Sequence, residues 1–217
     1  MSHIKCVEAK IVVLGTQGVG KTSLVIRYIG NTFNKHASPT IGASFFTCKL
    51  AVDNYRVKLQ VWDTAGQERF RSMAPMYYRK SNAAMLVFDL SSHDSFEDVK
   101  SWVTELKRNV EGQIVLCLLG NKCDLEDQRE VEKTVALDYA ASIGAIYFET
   151  SALSNEGIHE AFLQVALRLI TLCETHPNSG MKLLSNSEMD GGTRLRAESG
   201  QSTSSTSSSN QQKSDCC

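Results

Sequence analysis

Short apolar runs alternate with amphipathic stretches along most of the chain, and this pattern predicts strands that are each followed by a helix. The runs predicted as strands are 9–14, 83–89, 114–121 and 146–150, and the stretches predicted as helices are 21–29, 95–110, 132–143 and 157–174. Since consecutive parallel strands need a crossover, usually a helix, the pattern indicates a mostly parallel sheet that is covered by helices on both faces.

Two further runs, 44–52 and 56–62, break this alternation because no helical stretch separates them. They are joined at Asp53-Asn54, two residues that favour tight turns, so we predict an antiparallel hairpin. The predicted fold class is therefore α/β, with a six-stranded sheet that has five parallel strands and one antiparallel edge strand.

The apolar pattern ends near His176. Residues 177–217 are rich in Ser, Asn, Gly and Gln, and such a composition cannot bury enough apolar surface to fold. We predict a folded domain over residues 1–176 and a disordered tail over 177–217, with disorder across 181–213. The first ten residues lack the apolar core of a signal peptide, and no apolar run approaches the roughly 18 residues of a membrane helix. Secretion and membrane insertion are therefore not expected.

Charge and cysteine content exclude several classes of protein. The chain has 23 basic and 24 acidic residues and a net charge of −1, so we expect no nucleic-acid partner. Its seven cysteines form no pair with zinc-type spacing and its five histidines are scattered, so a metal site of His and Cys is not expected. Cysteines within apolar segments fit reduced thiols in a protein of the cytosol.

The glycine-rich sequence GTQGVGKT lies between the first predicted strand and the first predicted helix, which is the position of a P-loop. Its glycines let several backbone N–H groups approach a phosphate chain without side-chain clashes. Lys21 can reach the β and γ phosphates, and the Thr22 hydroxyl suits Mg²⁺. The residues expected to contact the phosphates are Gln17, Gly18, Val19, Gly20, Lys21, Thr22 and Ser23.

A second motif, DTAGQ, follows the second strand of the predicted hairpin. Asp63 can hold Mg²⁺ through a water molecule, and the backbone N–H of Gly66 can contact a γ-phosphate. Gln67 can orient an attacking water. Gln67 and Lys21 are therefore the candidate catalytic residues.

A third motif, NKCD, follows a later strand and indicates guanine as the base. The Asp124 carboxylate can accept hydrogen bonds from N1–H and the 2-amino group of guanine, and adenine has neither donor at those positions. Asn121 would brace the neighbouring loops, and Lys122 would lay its alkyl stem along the base. Ser151 and Ala152, which follow the last predicted strand, are placed for a backbone N–H to reach the guanine oxygen.

In their order along the chain, these motifs resemble those of the Ras-like small GTPases and, within them, the Rab family. The resemblance covers about residues 9–174. It also rests on the sequences IGASF at 41–45, KLQVWDTAGQERFR at 58–71 and YYR at 77–79. The run APMYYR, which ends at Arg79, is most similar to the endosomal branch of the family.

This resemblance implies a P-loop NTPase G domain that binds GTP or GDP with Mg²⁺. It implies that Thr40 binds Mg²⁺ and the γ-phosphate, joining Thr22 and Asp63 as a metal ligand, and that Phe33 packs on the guanine. The residues that match the effector surface of the family are Ile41, Phe45, Trp62 and Tyr77. An alternative for the three aromatic side chains is ordinary core packing.

The implied function is slow GTP hydrolysis by a switch that recruits effectors in its GTP form and regulates vesicle and endosomal traffic. Cys216 and Cys217 resemble a double geranylgeranylation signal, which implies attachment to the cytoplasmic face of endosomal membranes, with a cytosolic pool. The implied partners are a guanine nucleotide exchange factor, a GTPase-activating protein, a GDP-dissociation inhibitor or escort protein, and GTP-dependent effectors. We expect the protein to be a monomer.

Two alternative functions are considered, one because Gln17 differs from the family pattern and one because other P-loop proteins are kinases. Gln17 is bulkier than the small residues of the family at this P-loop position and would hinder hydrolysis or the approach of an arginine finger. A GTP-binding scaffold with negligible hydrolysis is therefore one alternative. A P-loop kinase that acts on a metabolite is the other, and the guanine-selective NKCD motif disfavours it. Leu153, at a position that is lysine in many relatives, affects only a minor packing contact.

Overall fold

A computed structural model describes residues 4–110, 112–176 and 181–185. Its strands are β1 (Lys5–Leu14), β2 (Ala43–Val52), β3 (Tyr55–Thr64), β4 (Ala83–Asp89), β5 (Val115–Asn121), β6 (Ile146–Thr150) and β7 (Lys182–Ser185). Its α-helices are α1 (Lys21–Gly30), α2 (Ala74–Tyr78), α3 (His93–Asn109), α4 (Lys133–Ile143) and α5 (Ile158–Thr175). Two 3₁₀ helices, Glu68–Met73 and Glu126–Gln128, lie between these elements.

The six main strands form one sheet in the order β2-β3-β1-β4-β5-β6. Only the edge strand β2 is antiparallel to its neighbour, and the other five strands run parallel. The predicted α/β class with one antiparallel edge is thereby confirmed. β3 lies on one side of β1, and β4, the next strand along the chain, lies on its other side. The strand order therefore reverses at β1. In open α/β sheets, ligands bind in the crevice at the carboxyl ends of the strands at such a point.

Both faces of the sheet are covered, because alternate side chains of each strand point to opposite sides. On one side, Ile11 and Val13 of β1 pack in a cluster with α1 and α5. On the other, Val12 and Leu14 pack in a cluster with α3 and α4. Strand β4 is buried along its whole length, as its continuous apolar sequence predicts for a central parallel strand.

The segment after α5 differs from the prediction. Disorder was expected from Met181 onward, but Lys182–Ser185 form the short strand β7, which pairs antiparallel with β1. Met181 is buried in the core cluster beside α5. The segment 181–185 reads MKLLS, a short apolar run inside a polar tail. The composition of the whole tail hid this run, and pairing with the open part of the β1 edge makes it a strand. Residues 186–217, including Cys216 and Cys217, lie outside the described residues.

Candidate functional site

A cavity of about 470 Å³ opens at the carboxyl ends of the parallel strands, where the strand order reverses. Most of the residues predicted to bind a nucleotide line this cavity: Gln17, Gly18, Gly20, Lys21, Thr22, Ser23, Phe33, Thr40, Gly66, Asn121, Lys122, Asp124 and Ala152. Val19 and Ser151 do not line it and are buried in the same two loops. The fold therefore brings together four motifs that are far apart in the sequence.

The P-loop needs glycine for two separate reasons. Gly15, Gly18 and Gly20 all have positive φ angles, which side chains disfavour. In addition, a Cβ atom on Gly15 would lie 2.1 Å from the carbonyl oxygen of Val87, and one on Gly20 would lie 2.4 Å from Nδ2 of Asn121. The loop therefore packs its backbone tightly against β4 and β5, and α1 begins immediately after it, with its first N–H groups free to bind an anion.

Lys21 is a buried cation whose hydrogen-bond partners, among the described residues, are neutral carbonyl groups. Its Nζ donates hydrogen bonds of 2.8 Å to the carbonyl oxygens of Gly15 and Thr16. Burial lowers the pKa of Lys21 to about 8, and the nearby Asp63 carboxylate opposes this shift. A buried ammonium without an anionic hydrogen-bond partner favours the entry of an anion into the cavity.

The three predicted metal ligands lie in one hydrogen-bonded group. The hydroxyl of Thr22 donates to Oδ2 of Asp63 at 2.6 Å and lies 2.7 Å from the hydroxyl of Thr40. The other carboxylate oxygen of Asp63, Oδ1, is buried and has no hydrogen-bond partner. Burial raises the pKa of Asp63, although the hydrogen bond from Thr22 and the charge of Lys21 act in the opposite direction.

Two hydroxyls and a carboxylate with an unsatisfied buried oxygen fit Mg²⁺, a hard cation that prefers oxygen ligands and is held with few protein groups plus phosphate oxygens. Among the described residues, no group of three or more His, Cys, Asp or Glu side chains is placed to hold a metal ion. A site that uses threonine hydroxyls and one carboxylate is therefore the arrangement that this chain offers.

Gly66 lies directly against the P-loop. A Cβ atom added to it would lie 2.4 Å from the backbone nitrogen of Gln17, from Nζ of Lys21 and from the backbone carbon of Thr16. Gln67 follows it, is partly buried and precedes the 3₁₀ helix Glu68–Met73, but does not line the cavity. The side chain of Gln17 is exposed at the rim.

Asn121 holds the base end of the cavity together. Its Nδ2 donates to the carbonyl oxygen of Val19 at 2.7 Å, and its Oδ1 accepts from the hydroxyl of Thr150 at 3.1 Å. One buried amide therefore joins the P-loop, β5 and β6, as its predicted bracing role requires. Lys122 has a φ of 65° and forms an ion pair of 2.5 Å with Asp89 at the end of β4.

Asp124 is exposed toward the cavity and is oriented by Ser151. The hydroxyl of Ser151 donates to Oδ1 of Asp124 and accepts hydrogen bonds from the backbone N–H groups of Leu153 and Ser154, at 3.1 and 3.0 Å. One oxygen of the carboxylate is thus fixed by the loop that follows β6. This arrangement presets the direction of a carboxylate that can read the Watson–Crick edge of a base.

Arg27 is a structural contributor that sequence reasoning missed. Its guanidinium donates to the carbonyl oxygens of Ala152 and Leu153, at 2.7 and 3.1 Å, and lies 5.8 Å from the ring centre of Phe33. It therefore connects α1 to the loop after β6 and supports the aromatic side chain at the cavity wall. An arginine in the middle of a helix carries no motif, so no sequence signal identified it.

The loop before β2 was also underestimated. Sequence analysis places only its residues Phe33 and Thr40 at the nucleotide, yet most of the loop forms one wall of the cavity. Its cavity-lining residues beyond Phe33 and Thr40 are Asn34, Lys35, Ala37, Ser38 and Pro39. All five are exposed, so a change in the position of this wall would uncover little buried surface.

The aromatic side chains predicted as an effector surface form a row beside the cavity. The ring centres of Phe45 and Trp62 are 5.2 Å apart, and those of Trp62 and Tyr77 are 6.0 Å apart. Phe45 is 53% exposed and Ile41 is 77% exposed, while Trp62 and Tyr77 are partly buried. Trp62 and Tyr77 also pack against the core cluster that contains α3 and α4, so core packing describes part of this row, and Phe45 and Ile41 are its solvent-facing members.

Comparisons with known proteins agree with this geometry. A model of the Ras family matches residues 10–171. The chain is 51% identical to human Ras-related protein Rab-21 over 161 residues, which cover 74% of this chain and 72% of that protein. It is 47% identical to mouse Ras-related protein Rab-22A over 175 residues, covering 81% and 90%. It is also 47% identical to Ras-related protein RabJ of Dictyostelium discoideum over 163 residues, covering 75% and 64%.

Proposed function

Because this chain belongs to the Ras family and, within it, to the endosomal branch of the Rab small GTPases, we propose specific roles for the residues around its cavity. The protein is a GTPase that hydrolyses GTP to GDP and phosphate and acts in vesicle and endosomal traffic. The family match favours this activity over a metabolite kinase and over a scaffold with negligible hydrolysis. We propose which residues bind the nucleotide and hydrolyse GTP, and at which membrane the protein acts.

The oxygen group around Asp63 is the observation that carries the proposal. Ras-like GTPases bind GTP or GDP together with Mg²⁺, and Thr22, Thr40 and Asp63 are the residues of this chain that fit the metal. The unsatisfied Oδ1 of Asp63 needs a positive partner, directly or through a water. When bound, Mg²⁺ supplies positive charge that offsets the negative charge of the phosphate oxygens.

The remaining phosphate contacts come from the P-loop and the start of α1. The backbone N–H groups of the P-loop and of the first turn of α1 bind the phosphate oxygens, and Lys21 exchanges its two carbonyl partners for phosphate oxygens. During in-line attack of water, Lys21 stabilises the charge that develops on these oxygens. Gln67 moves to the cavity and orients the attacking water, since it lies next to Gly66, which already contacts the P-loop.

Thr40 and Gly66 make the site a switch. Both line the cavity, Thr40 from the loop before β2 and Gly66 from the segment between β3 and α2. These segments are continuous with β2, β3 and α2, which carry the aromatic row. A γ-phosphate that binds both residues holds these segments in one arrangement, and its loss releases them. GTP and GDP forms therefore present Ile41, Phe45, Trp62 and Tyr77 to effectors in different ways.

The proposed partners are those of the family: an exchange factor, a GTPase-activating protein, a GDP-dissociation inhibitor or escort protein, and GTP-dependent effectors. The protein acts as a monomer at the cytoplasmic face of endosomal membranes and keeps a cytosolic pool. In the parts of the chain that the structure describes, no helix has the length and apolar character needed to cross a bilayer. Membrane attachment is assigned to lipids on Cys216 and Cys217, because this pair resembles a double geranylgeranylation signal; both residues lie beyond the described residues.

Replacing both Cys216 and Cys217 by Ser should move the protein from the membrane fraction to the soluble fraction, and Cys217→Ser alone should leave weak or misplaced binding. Each buried CH₂ contributes about 0.8 kcal/mol, so one chain gives reversible binding and two give stable anchoring. Fractionation of cells that express each variant measures this. Cys123→Ser, within the folded domain, is the matched control and should stay membrane-bound. A double variant that binds GTP and remains in the membrane fraction would place the anchor on the folded domain.

A further inference from the structure

The edge of β1 that faces β4 is shared by two strands. β4 pairs only with residues Ile11 to Leu14. β7 pairs with the first part of the same strand, in a register that aligns Cys6 with Leu184 and Glu8 with Lys182. Between them, Lys10 exchanges two hydrogen bonds of 2.8 Å with Asn82, one through the Asn82 backbone and one through its side chain. β7 therefore fills the part of the β1 edge that β4 does not reach.

The direction of the β1 backbone groups shows what β7 contributes. The N–H of Lys5 donates to the carbonyl oxygen of Asn54 at 2.9 Å, on the side of β3. Since successive residues of a strand direct their backbone groups to opposite edges, those of Cys6 and Glu8 face β7. By the same alternation, Leu184 directs its own N–H toward Cys6, and the N–H of Leu183 points away from β1.

A second contact anchors the segment just before the strand. Met181 is only 7% exposed and belongs to the core cluster that contains Leu172 and Cys173 of α5. The end of α5 is itself fixed to the sheet by Lys5 of β1. The Nζ of Lys5 donates to Oε1 of Glu174 in α5 at 3.3 Å and to the hydroxyl of Tyr55 in β3 at 3.0 Å. A buried side chain and a strand pairing thus act together at one place.

We propose that residues Met181–Ser185 are a docking segment that fastens the tail to the amino-terminal end of β1. Because β7 runs antiparallel to β1, the chain leaves the sheet near Lys5. This point is about 30 Å from the P-loop, the length of a ten-residue strand. Ser185, the last described residue before the two cysteines, then lies at the end of β1 opposite the cavity. The aromatic row is near the other end of this strand, where Trp62 aligns with Val12. Any partner that binds the docking segment must first displace it from β1.

This inference rests on the proposed function only for the lipid at the end of the tail; the docking itself does not depend on it. Neither Met181–Ser185 nor Cys6 lines the nucleotide cavity. A failure of docking would therefore leave nucleotide binding and GTP hydrolysis unchanged. Absence of GTP hydrolysis would contradict the proposed function and leave the docking intact, so the two results are separable.

Hydrogen–deuterium exchange of the full-length protein tests the docking directly. In the wild type, a peptide that covers residues 4–9 should have all its strand amides protected. Leu184→Pro removes the N–H that faces the Cys6 carbonyl oxygen and puts the proline ring in its place, which should release the segment from β1. The Cys6 and Glu8 amides then lose their acceptors on β7, so this peptide should gain about two fast-exchanging amides. Leu183→Pro is the matched control, because its lost N–H points away from β1, and its exchange should match the wild type. Equal exchange in Leu184→Pro and wild type, with GTP binding retained in both, would overturn the proposal.

Limited trypsin digestion of the wild-type protein gives an independent readout. Lys182 is the only Lys or Arg between Arg168 and Arg194. Cleavage after Lys182 and cleavage after Arg194 therefore give products that are easily distinguished by mass. A docked strand must open before a protease can cut it, whereas Arg194 lies in the segment predicted to be disordered. We expect cleavage after Lys182 to be about tenfold slower than after Arg194. Equal rates at the two sites would mean that the segment is not docked.

Discussion

Asp124→Asn is expected to change the preferred base from guanine to xanthine and to weaken GTP binding by several orders of magnitude. The wild-type carboxylate accepts two hydrogen bonds from guanine, and xanthine carries an oxygen in place of the 2-amino group. The amide of Asn can donate to that oxygen and still accept from N1–H. A site built to hydrogen-bond a substrate group rejects an analogue without that group by about 10⁴- to 10⁵-fold, because buried polar atoms are left unpaired.

Competition between GTP, XTP and ATP for a fluorescent GDP analogue measures this change. Asp127→Asn is the matched control: the residue is an exposed aspartate in the 3₁₀ helix next to the motif and does not line the cavity. Its preference for guanine should be unchanged. Wild-type protein that binds ATP as tightly as GTP would show that Asp124 does not read the base.

Gly66→Ala should slow GTP hydrolysis by about 100-fold while GDP binding is retained. The added Cβ would lie 2.4 Å from backbone atoms of the P-loop, and ordinary contact begins at 3.4 Å, so the segment must retreat by about 1 Å (3.4 − 2.4 Å). A displacement of this size in the reacting geometry can cost about 100-fold in rate. GDP lacks the γ-phosphate that Gly66 is proposed to contact, so its affinity should change little.

The same variant should lose the conformational response to GTP. Trp62 lies in the aromatic row beside the cavity, so its fluorescence should differ between the GDP and GTP forms of the wild type, and this difference should disappear in Gly66→Ala. Gly30→Ala is the control, since a Cβ there meets only a side-chain oxygen at 3.5 Å. Wild-type hydrolysis and fluorescence in Gly66→Ala would mean that this contact with the P-loop is not needed.

The sequence predicted the fold best where the pattern depends on burial alone. The bounds of β4 and β6 match the predicted runs 83–89 and 146–150. For β4 the reason is burial, because a continuous apolar run suits a strand covered on both faces. β1 begins four residues earlier than predicted, at Lys5, since its first half is paired on both edges although it is less apolar. β7 was missed because its short apolar run, MKLLS at 181–185, stands inside a long polar tail, and its pairing partner on β1 is distant in the sequence.

The residues of the site also divide into those that the sequence predicts and those that it does not. Residues within motifs, such as Lys21 and Asn121, could be placed from spacing, because a phosphate chain and a base require particular groups at particular distances. Arg27 and Asp89 could not, since their partners, Ala152 and Lys122, are brought to them only by the folded chain. Contacts between residues that are distant in the sequence leave no local pattern to read.

Single-turnover hydrolysis of bound GTP, in Mg²⁺ and in EDTA, tests the central claim most directly. We predict that the wild type converts GTP to GDP and phosphate in Mg²⁺, at an intrinsic rate on the order of 10⁻⁴ s⁻¹, and not in EDTA. Gln67→Leu should bind GTP normally and hydrolyse it at least about tenfold more slowly. If Gln67→Leu matches the wild type, another residue positions the water, and Gln17 at the rim is the first to test. If the wild type leaves its GTP intact in Mg²⁺, even with activating proteins present, the switch does not work by hydrolysis.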